Sequence, residues 1–386
     1  VTAQAPAVNA DLTRNAARGV LGLEAYSPGM PVEELQRRLG IADVIKLASN
    51  ENPLGLGPRV RAALAEAVAG TDLALYPDGS GFRLKQKLAK LHDIAPERIT
   101  LGNGSNDIIE LLGRVFLGDG RAALYSAHAF AVYDIVTRAQ SARAVVVPAR
   151  AATDAQPYGH DLAAFAQALK ANPDVSLVFI ANPNNPTGTW LDAADIEAFL
   201  AQVPPQVIVG LDEAYWEYMD PALRGDARAW LDRYPNLVVF RTFSKAYGLA
   251  GLRVGYALSS APLADLLNRV RQPFNNNSLA LLAAEIALDD ADYVRESVAL
   301  NTRERARLAQ ALQAMGLTVL PSQANFLAIG FGRPAAPIHQ GLLEQGVIVR
   351  PVASYALPTF LRVSVGTESQ NDRFLHALRT VLDQTR

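Results

Sequence analysis

Between about Arg98 and Ser260 the chain repeats one unit, a short apolar run followed by an amphipathic stretch of helical period. The runs are RITLG, AALYS, ARAVVVPA, VSLVFIAN, QVIVGLDEA, NLVVFRTFS and RVGYALSS. Near-continuous apolarity marks strands covered on both faces, and the helices between them supply crossovers between parallel neighbours. The pattern predicts an α/β domain with a mixed, mostly parallel, doubly covered sheet. The mixing follows from one connection. Only about eight residues separate NLVVFRTFS from RVGYALSS, whereas a parallel crossover needs roughly a dozen or more, so this pair should be antiparallel.

Beyond Pro273 the texture changes. A long helical stretch, DDADYVRESVALNTRERARLAQALQAMG, stops at a C-cap candidate, Gly316. The runs LTVL, NFLAIGF, GVIVRP and FLRVSVG follow, then a closing helix, NDRFLHALRTVLDQ. This predicts a smaller α+β domain over 273–386 beside a large domain over 51–272. Residues 1–50 hold one helix, PVEELQRRLG, and an extended VIKLASNENPLG. That is too little for a domain, so they are expected to form an arm packing on the small domain, with the first ten or so residues frayed.

Charge and composition narrow the partners. Thirty-six basic and thirty-eight acidic side chains leave a net charge of -2, which gives no electrostatic footprint for nucleic acid or an anionic membrane. The chain has no cysteine, and its five histidines show no metal-ligand spacing, so no metal site is expected. No apolar run approaches the roughly 18 residues of a membrane span, and the first residues do not read as a signal peptide. The expectation is a cytoplasmic protein whose partners are small molecules and copies of itself.

The candidate chemistry centres on Lys245 in RTFSKAYGLAGLRVGY. An ammonium group placed among small residues after an apolar strand is an odd surface charge. A lysine becomes a nucleophile toward carbonyls when its surroundings lower its pKa, and the commonest carbonyl held that way is pyridoxal 5′-phosphate. That cofactor needs a carboxylate at its ring nitrogen, donors at its ring oxygen, an aromatic face and a phosphate cradle. Asp212, at the C-terminal end of VIVGLD, is the carboxylate candidate, with a helix N-cap as the plainer reading. Tyr215 and Asn185 could meet the ring oxygen, although amphipathic packing and turn chemistry account for such residues too. Gly104, Ser105 and Asn106, between a strand and a helix, offer amides to an anion. Thr242 and Ser244 add hydroxyls and Arg253 a guanidinium fork. Phe130 could supply the aromatic face; core packing is its default.

Three motifs in order, NPNNPTG, DEAY and SKAYGLAGLRVG, resemble the aspartate-aminotransferase superfamily of fold-type-I pyridoxal-phosphate enzymes. Within it, LEAYSPGMPVEELQRRLG, LASNENPLG, YPDGSGFRLK, HAFAVY, GVIVRP and LRVSVGT are most similar to the histidinol-phosphate aminotransferases. The resemblance implies that Lys245 condenses with the cofactor aldehyde and shuttles the proton. It further implies Asp212 at the ring nitrogen, Asn185 and Tyr215 at the ring oxygen, and Phe130 on the ring face. Gly104, Ser105, Asn106, Thr242, Ser244 and Arg253 would surround the phosphate. Tyr76 would reach that phosphate from a partner subunit, which implies a homodimer with shared active sites. Arg362 would bind the substrate α-carboxylate, Arg350 and Tyr26 the distal anion, and Asn50 would join the substrate side. The implied reaction is ping-pong transamination between L-histidinol phosphate and 2-oxoglutarate. An aromatic amino-acid aminotransferase and a phosphothreonine-type decarboxylase are the alternatives. GSND stands where an acidic pair is more usual, and His128 and Ala129 replace a commoner Pro-Thr.

Overall fold

A computed structural model describes residues 13–25, 28–70 and 73–385. The first ten residues, expected to fray, and Tyr26 lie outside the described residues.

After a two-residue strand β1 (Ile45–Lys46), the expected runs become β2 (Ile99–Gly102), β3 (Ala122–Ser126), β4 (Arg143–Val147), β5 (Val175–Ala181), β6 (Ile208–Asp212), β7 (Leu237–Thr242) and β8 (Gly255–Ser259). Strands β2 to β8 form one sheet in the order β2-β8-β7-β6-β5-β3-β4. Strand β8 is antiparallel to both β7 and β2, and the remaining pairs are parallel. The short β7–β8 connection therefore produces the antiparallel step expected of it. Two antiparallel steps leave β2 pointing the same way as β7. The C-terminal ends of β2, β3, β5, β6 and β7 thus share one edge, where open α/β sheets bind ligands.

Helices cover both faces. Strands β2, β3, β6 and β7 are buried throughout and β5 at every position but Ser176, whereas edge strand β4 keeps exposed positions. Leu84, Leu88, Phe165, Phe199 and Leu211 belong to the core on one side. Ile108, Leu112, Tyr133, Phe179 and Phe240 belong to that on the other.

The C-terminal strands are β9 (Thr318–Val319), β10 (Phe326–Gly330), β11 (Val347–Ile348), β12 (Arg350–Pro351) and β13 (Phe360–Ser364). An antiparallel sheet runs β12-β13-β10-β9. The run GVIVRP, read as one strand, changes partner midway. Strand β11 pairs in parallel with β1, and after Val349 β12 pairs with β13. The early chain is thereby tied to the C-terminal part, and Leu47 packs in a core with Val347, Leu361 and Phe374. The long helix spans Ala291–Ala314, and Gly316 follows it at φ +78°, a conformation that favours glycine. Helix Ser278–Leu288 lies beyond the expected division near residue 272. Its Ala280, Leu281, Ala283, Ala284 and Ala287 nevertheless pack in the core of the seven-stranded sheet.

Candidate active site

At the shared strand edge a cavity of about 630 Å³ opens, lined from both parts of the chain. Asp212, the last residue of β6, is buried there. Its Oδ2 accepts a hydrogen bond from the Tyr133 hydroxyl at 2.8 Å, and its Oδ1 accepts one from the Ala214 amide at 3.1 Å. Burial raises its pKa to about 6, against the pull of those two donors. Tyr133 belongs to helix Ala131–Ala139. Its ring stacks on Phe179 of β5 with centroids 4.6 Å apart, and Phe130, which lines the cavity, meets it edge-on at 5.9 Å.

Lys245 follows β7 by three residues, past Thr242 and Ser244, and all three line the cavity. Its Nζ donates to the Ser49 carbonyl at 3.1 Å and lies 5.8 Å from the Tyr215 ring centroid. Loss of water contact, followed by the positive charges of Arg362 and Arg253, lowers its pKa to about 8, although Glu51 and Asp212 oppose the shift. A lysine so tuned has a useful fraction of free amine near neutral pH.

The Tyr215 hydroxyl accepts from Asn50 Nδ2 at 2.9 Å. Burial pushes this phenol up to about 12, which keeps it a donor at neutral pH. Asn50 stands at φ +55° and is pinned by its neighbours. Its amide N–H donates to Ser364 Oγ at 2.8 Å, its Oδ1 accepts from the same hydroxyl at 3.1 Å, and its carbonyl accepts from Asn325 at 3.0 Å. Asn50, expected on the substrate side, lines the cavity but spends its side-chain amide on Tyr215. Asn185 sits in a turn with cis bonds at Asn182–Pro183 and Asn185–Pro186. Its Oδ1 accepts from Arg362, which leaves its N–H donors for another acceptor. Arg362, on β13, is only 6% exposed and also donates to the Ala48 carbonyl at 2.7 Å.

At the other end, Gly102 closes β2 and Gly104 turns at φ +82° into helix Ser105–Phe116. A Cβ on Gly104 would stand 2.4 Å from Arg253 Nη2, so the turn and the guanidinium can approach only because this residue is glycine. Arg253 itself adopts φ +60°. Its Nη1 donates to Ser244 Oγ at 3.1 Å and its Nη2 to the Asn103 carbonyl at 3.3 Å. Ser105, Asn106, Thr242, Ser244 and Arg253 face one cavity. A helix start, whose first N–H groups lack intrahelical acceptors, then combines with hydroxyls and a guanidinium as a cradle for an anion.

Arg350 lines the same cavity. Tyr76 does not: it is 82% exposed and stacks on Phe274 at 4.6 Å. Tyr133, Ser49 and Asp107 were not anticipated. Tyr133 stands three residues after Phe130, the residue at the N-cap of its helix, and the two rings meet edge-on. Ser49 acts through a backbone carbonyl, for which the sequence has no sign. Among the described residues no group of three or more His, Asp or Glu side chains could hold a metal ion, and no helix is long and apolar enough to cross a membrane.

The cavity offers a nucleophilic amine, a buried carboxylate, amide and phenol donors, an aromatic ring and an anion cradle. This donor set fits the aldehyde, ring nitrogen, ring oxygen, ring face and phosphate of pyridoxal 5′-phosphate.

Comparison with known proteins points the same way. The profile of the family described as aminotransferase class I and II matches residues 42–378. A histidinol-phosphate aminotransferase 2 of Pseudomonas aeruginosa is 55% identical over 366 residues, covering 94% of this chain and 96% of that protein. A histidinol-phosphate aminotransferase 1 of Idiomarina loihiensis is 49% identical, with 94% and 96% covered. The crystal structure of a histidinol-phosphate aminotransferase from Sinorhizobium meliloti in complex with pyridoxal 5′-phosphate superposes with a TM-score of 0.88 at 29% identity, covering 96% of this chain and 98% of that one. An L-threonine-O-3-phosphate decarboxylase from Porphyromonas gingivalis reaches a TM-score of 0.76 at 22% identity, with 88% and 100% covered. That likeness concerns the fold alone.

Proposed function

The chain belongs to the family of class I and II aminotransferases, and from that premise we propose that it moves the amino group of L-histidinol phosphate to 2-oxoglutarate, using pyridoxal 5′-phosphate. The observation that carries the proposal is Lys245, an amine with its pKa lowered to about 8 in the same cavity as the buried Asp212 carboxylate. Relatives at 49% and 55% identity that bear the histidinol-phosphate name support the choice of substrate.

When bound, the cofactor supplies an aldehyde for amine exchange and a ring that spreads the charge left at the substrate α-carbon. The chain's residues do the rest. The Lys245 amine would take the substrate α-proton at Nζ and hand it back to the cofactor's aldehyde carbon, which lies across the transferred nitrogen from the α-carbon. The Asp212 carboxylate, its orientation fixed by Tyr133 and the Ala214 amide, would hold the ring nitrogen and favour its protonated form. Tyr215 and Asn185 would donate to the ring oxygen. Arg362, steadied by Asn185 and the Ala48 carbonyl, offers its guanidinium to the α-carboxylate of glutamate or 2-oxoglutarate. Arg350 takes the distal anion, a phosphoryl group in one half-reaction and a carboxylate in the other. This shared demand for an anion explains how one pocket serves two substrates.

The reading also includes a homodimer in a cytoplasmic enzyme. Leu75, Tyr76, Phe82 and Phe274 are exposed, and Tyr76 stacks on Phe274, which supports burial of this region against a second copy. The packing of helix Ser278–Leu288 in the core of the seven-stranded sheet supports a division between large and small units nearer residue 290 than the expected 272.

Initial rates measured side by side with histidinol phosphate, phenylalanine and phosphothreonine, each with 2-oxoglutarate, test the proposal. Histidinol phosphate should give the highest kcat/KM, and equal or faster turnover of phenylalanine would replace it with an aromatic aminotransferase. Carbon dioxide release from phosphothreonine would point to the decarboxylase instead.

A further inference from the structure

The anion cradle is braced by a segment with no part in the site as described so far, the run Arg271 to Asn277. Asn276 is 4% exposed, and its Nδ2 donates to the Gly102 carbonyl at 2.8 Å, where β2 gives way to the glycine turn. Asn275 Nδ2 donates to Asp107 Oδ2 at 2.7 Å and to the Leu101 carbonyl at 3.3 Å. The same Asp107 oxygen accepts the Asn103 amide at 2.8 Å. Asn275 Oδ1 in turn accepts from Arg271 Nη1 at 2.7 Å, and Arg271 Nη2 donates to the Gly79 carbonyl at 2.5 Å. Both asparagines thus hold the stretch Leu101 to Asp107 from outside, Asn276 at its start and Asn275 at both ends.

The placement has a chemical consequence. Asp107 stands in the first turn of the helix and lines the cavity, so its carboxylate competes with any anion for the amides at that helix start. With Oδ2 held by Asn275 and by the Asn103 amide, that oxygen is committed to the loop. The chain before Ser105 is fixed at the same time. An amide side chain suits this job, because it binds a carbonyl and a carboxylate through one N–H₂ group without adding charge beside the phosphate.

We infer that Asn275 and Asn276 are positioning residues for phosphate recognition: they hold the turn between β2 and helix Ser105–Phe116 in the shape that receives the phosphate of the cofactor. The inference rests on the pyridoxal-phosphate reading and assigns a role within it. Its signature is selectivity. Pyridoxal, which has the aldehyde and ring but no phosphate, should gain nothing from these two side chains.

The test measures dissociation constants of the cofactor-free full chain for pyridoxal 5′-phosphate and for pyridoxal, from the absorbance of the lysine adduct, in wild type and in Asn276→Ala. The substitution should weaken pyridoxal 5′-phosphate about tenfold, the scale of one lost buried hydrogen bond, and leave pyridoxal unchanged. Should Asn276→Ala fail to fold, Asn275→Ala, whose side chain is less buried, is expected to show the same selective loss. Equal weakening of both ligands, or no weakening of either, overturns the inference and leaves the cofactor reading standing. A wild-type protein that forms an adduct with neither aldehyde overturns the cofactor reading itself.

Discussion

The Tyr133 hydroxyl donates to Asp212 Oδ2 across 2.8 Å, with both side chains buried. Burial, and then the neighbouring Asp212 charge, holds the Tyr133 phenol well above the ordinary tyrosine range, so it is a donor at neutral pH. The bond lowers the cost of keeping Asp212 ionised in an apolar setting.

Tyr133→Phe keeps the stack on Phe179 and removes only this donor. The Asp212 pKa should rise above its value of about 6. The acid limb of the pH–rate profile should move to higher pH, and turnover at neutral pH should fall about tenfold, the scale of a charge-assisted hydrogen bond. Cofactor loading should change little. An unmoved acid limb would show that the bond does not tune Asp212.

Asp212 also makes the cofactor-free protein pH-sensitive. Its folded pKa, raised to about 6 from 3.8, lies above its unfolded value. The stability it contributes is therefore complete below pH 3.8 and is lost as pH rises through about 6. Asp212→Asn removes the buried charge, so at pH 7 the cofactor-free variant should be more stable than wild type by about 3 kcal/mol. The difference should vanish near pH 4. Denaturant unfolding at the two pH values measures it, and a variant that is less stable at both would refute the sign.

The Lys245 amine should react with aldehydes as a group of pKa about 8 rather than 10.5. In the cofactor-free protein, the yield of borohydride-trapped pyridoxal at this site should climb with pH through a midpoint near 8. Arg362→Met takes away the positive charge that lowers it most, and its midpoint should shift upward.

Behind the site, Glu213 and Arg241 form a buried ion pair at 2.7 Å, and the Arg241 guanidinium lies 3.7 Å from the Trp216 ring centroid. Glu213 follows Asp212 and Arg241 precedes Thr242, so the pair clamps the ends of β6 and β7 that carry the chemistry. Glu213→Ala leaves Arg241 buried without its counter-charge and should cost about 3–5 kcal/mol in unfolding free energy. A loss below about 1 kcal/mol would mean that another group takes over the charge.

Much of this was legible in the sequence, for physical reasons. Strands buried on both faces leave continuous apolar runs, and a connection too short for a crossover dictates an antiparallel step; β7 and β8 show both. Asp212 and Lys245 stood out because ionisable groups at the ends of such runs need a partner. The partner change at Val349 was not legible, because the residues of β11 and β12 are alike in their local preferences and only the folded neighbours, β1 and β13, separate them. The same limit hid the Ser49 carbonyl beside Lys245. The bracing by Asn275 and Asn276 was hidden too: asparagines before a helix read locally as turn and cap residues, and Asn277 does cap helix Ser278–Leu288 through the Ala280 amide.

The central claim is that the Lys245 amine carries the cofactor. The most direct measurement is borohydride reduction of the purified protein supplied with pyridoxal 5′-phosphate, followed by proteolysis and mass analysis of the peptides. The account predicts a single reduced adduct, on the peptide containing Lys245, that disappears in Lys245→Ala. An adduct on another lysine at full occupancy, or one that persists in Lys245→Ala, would contradict it.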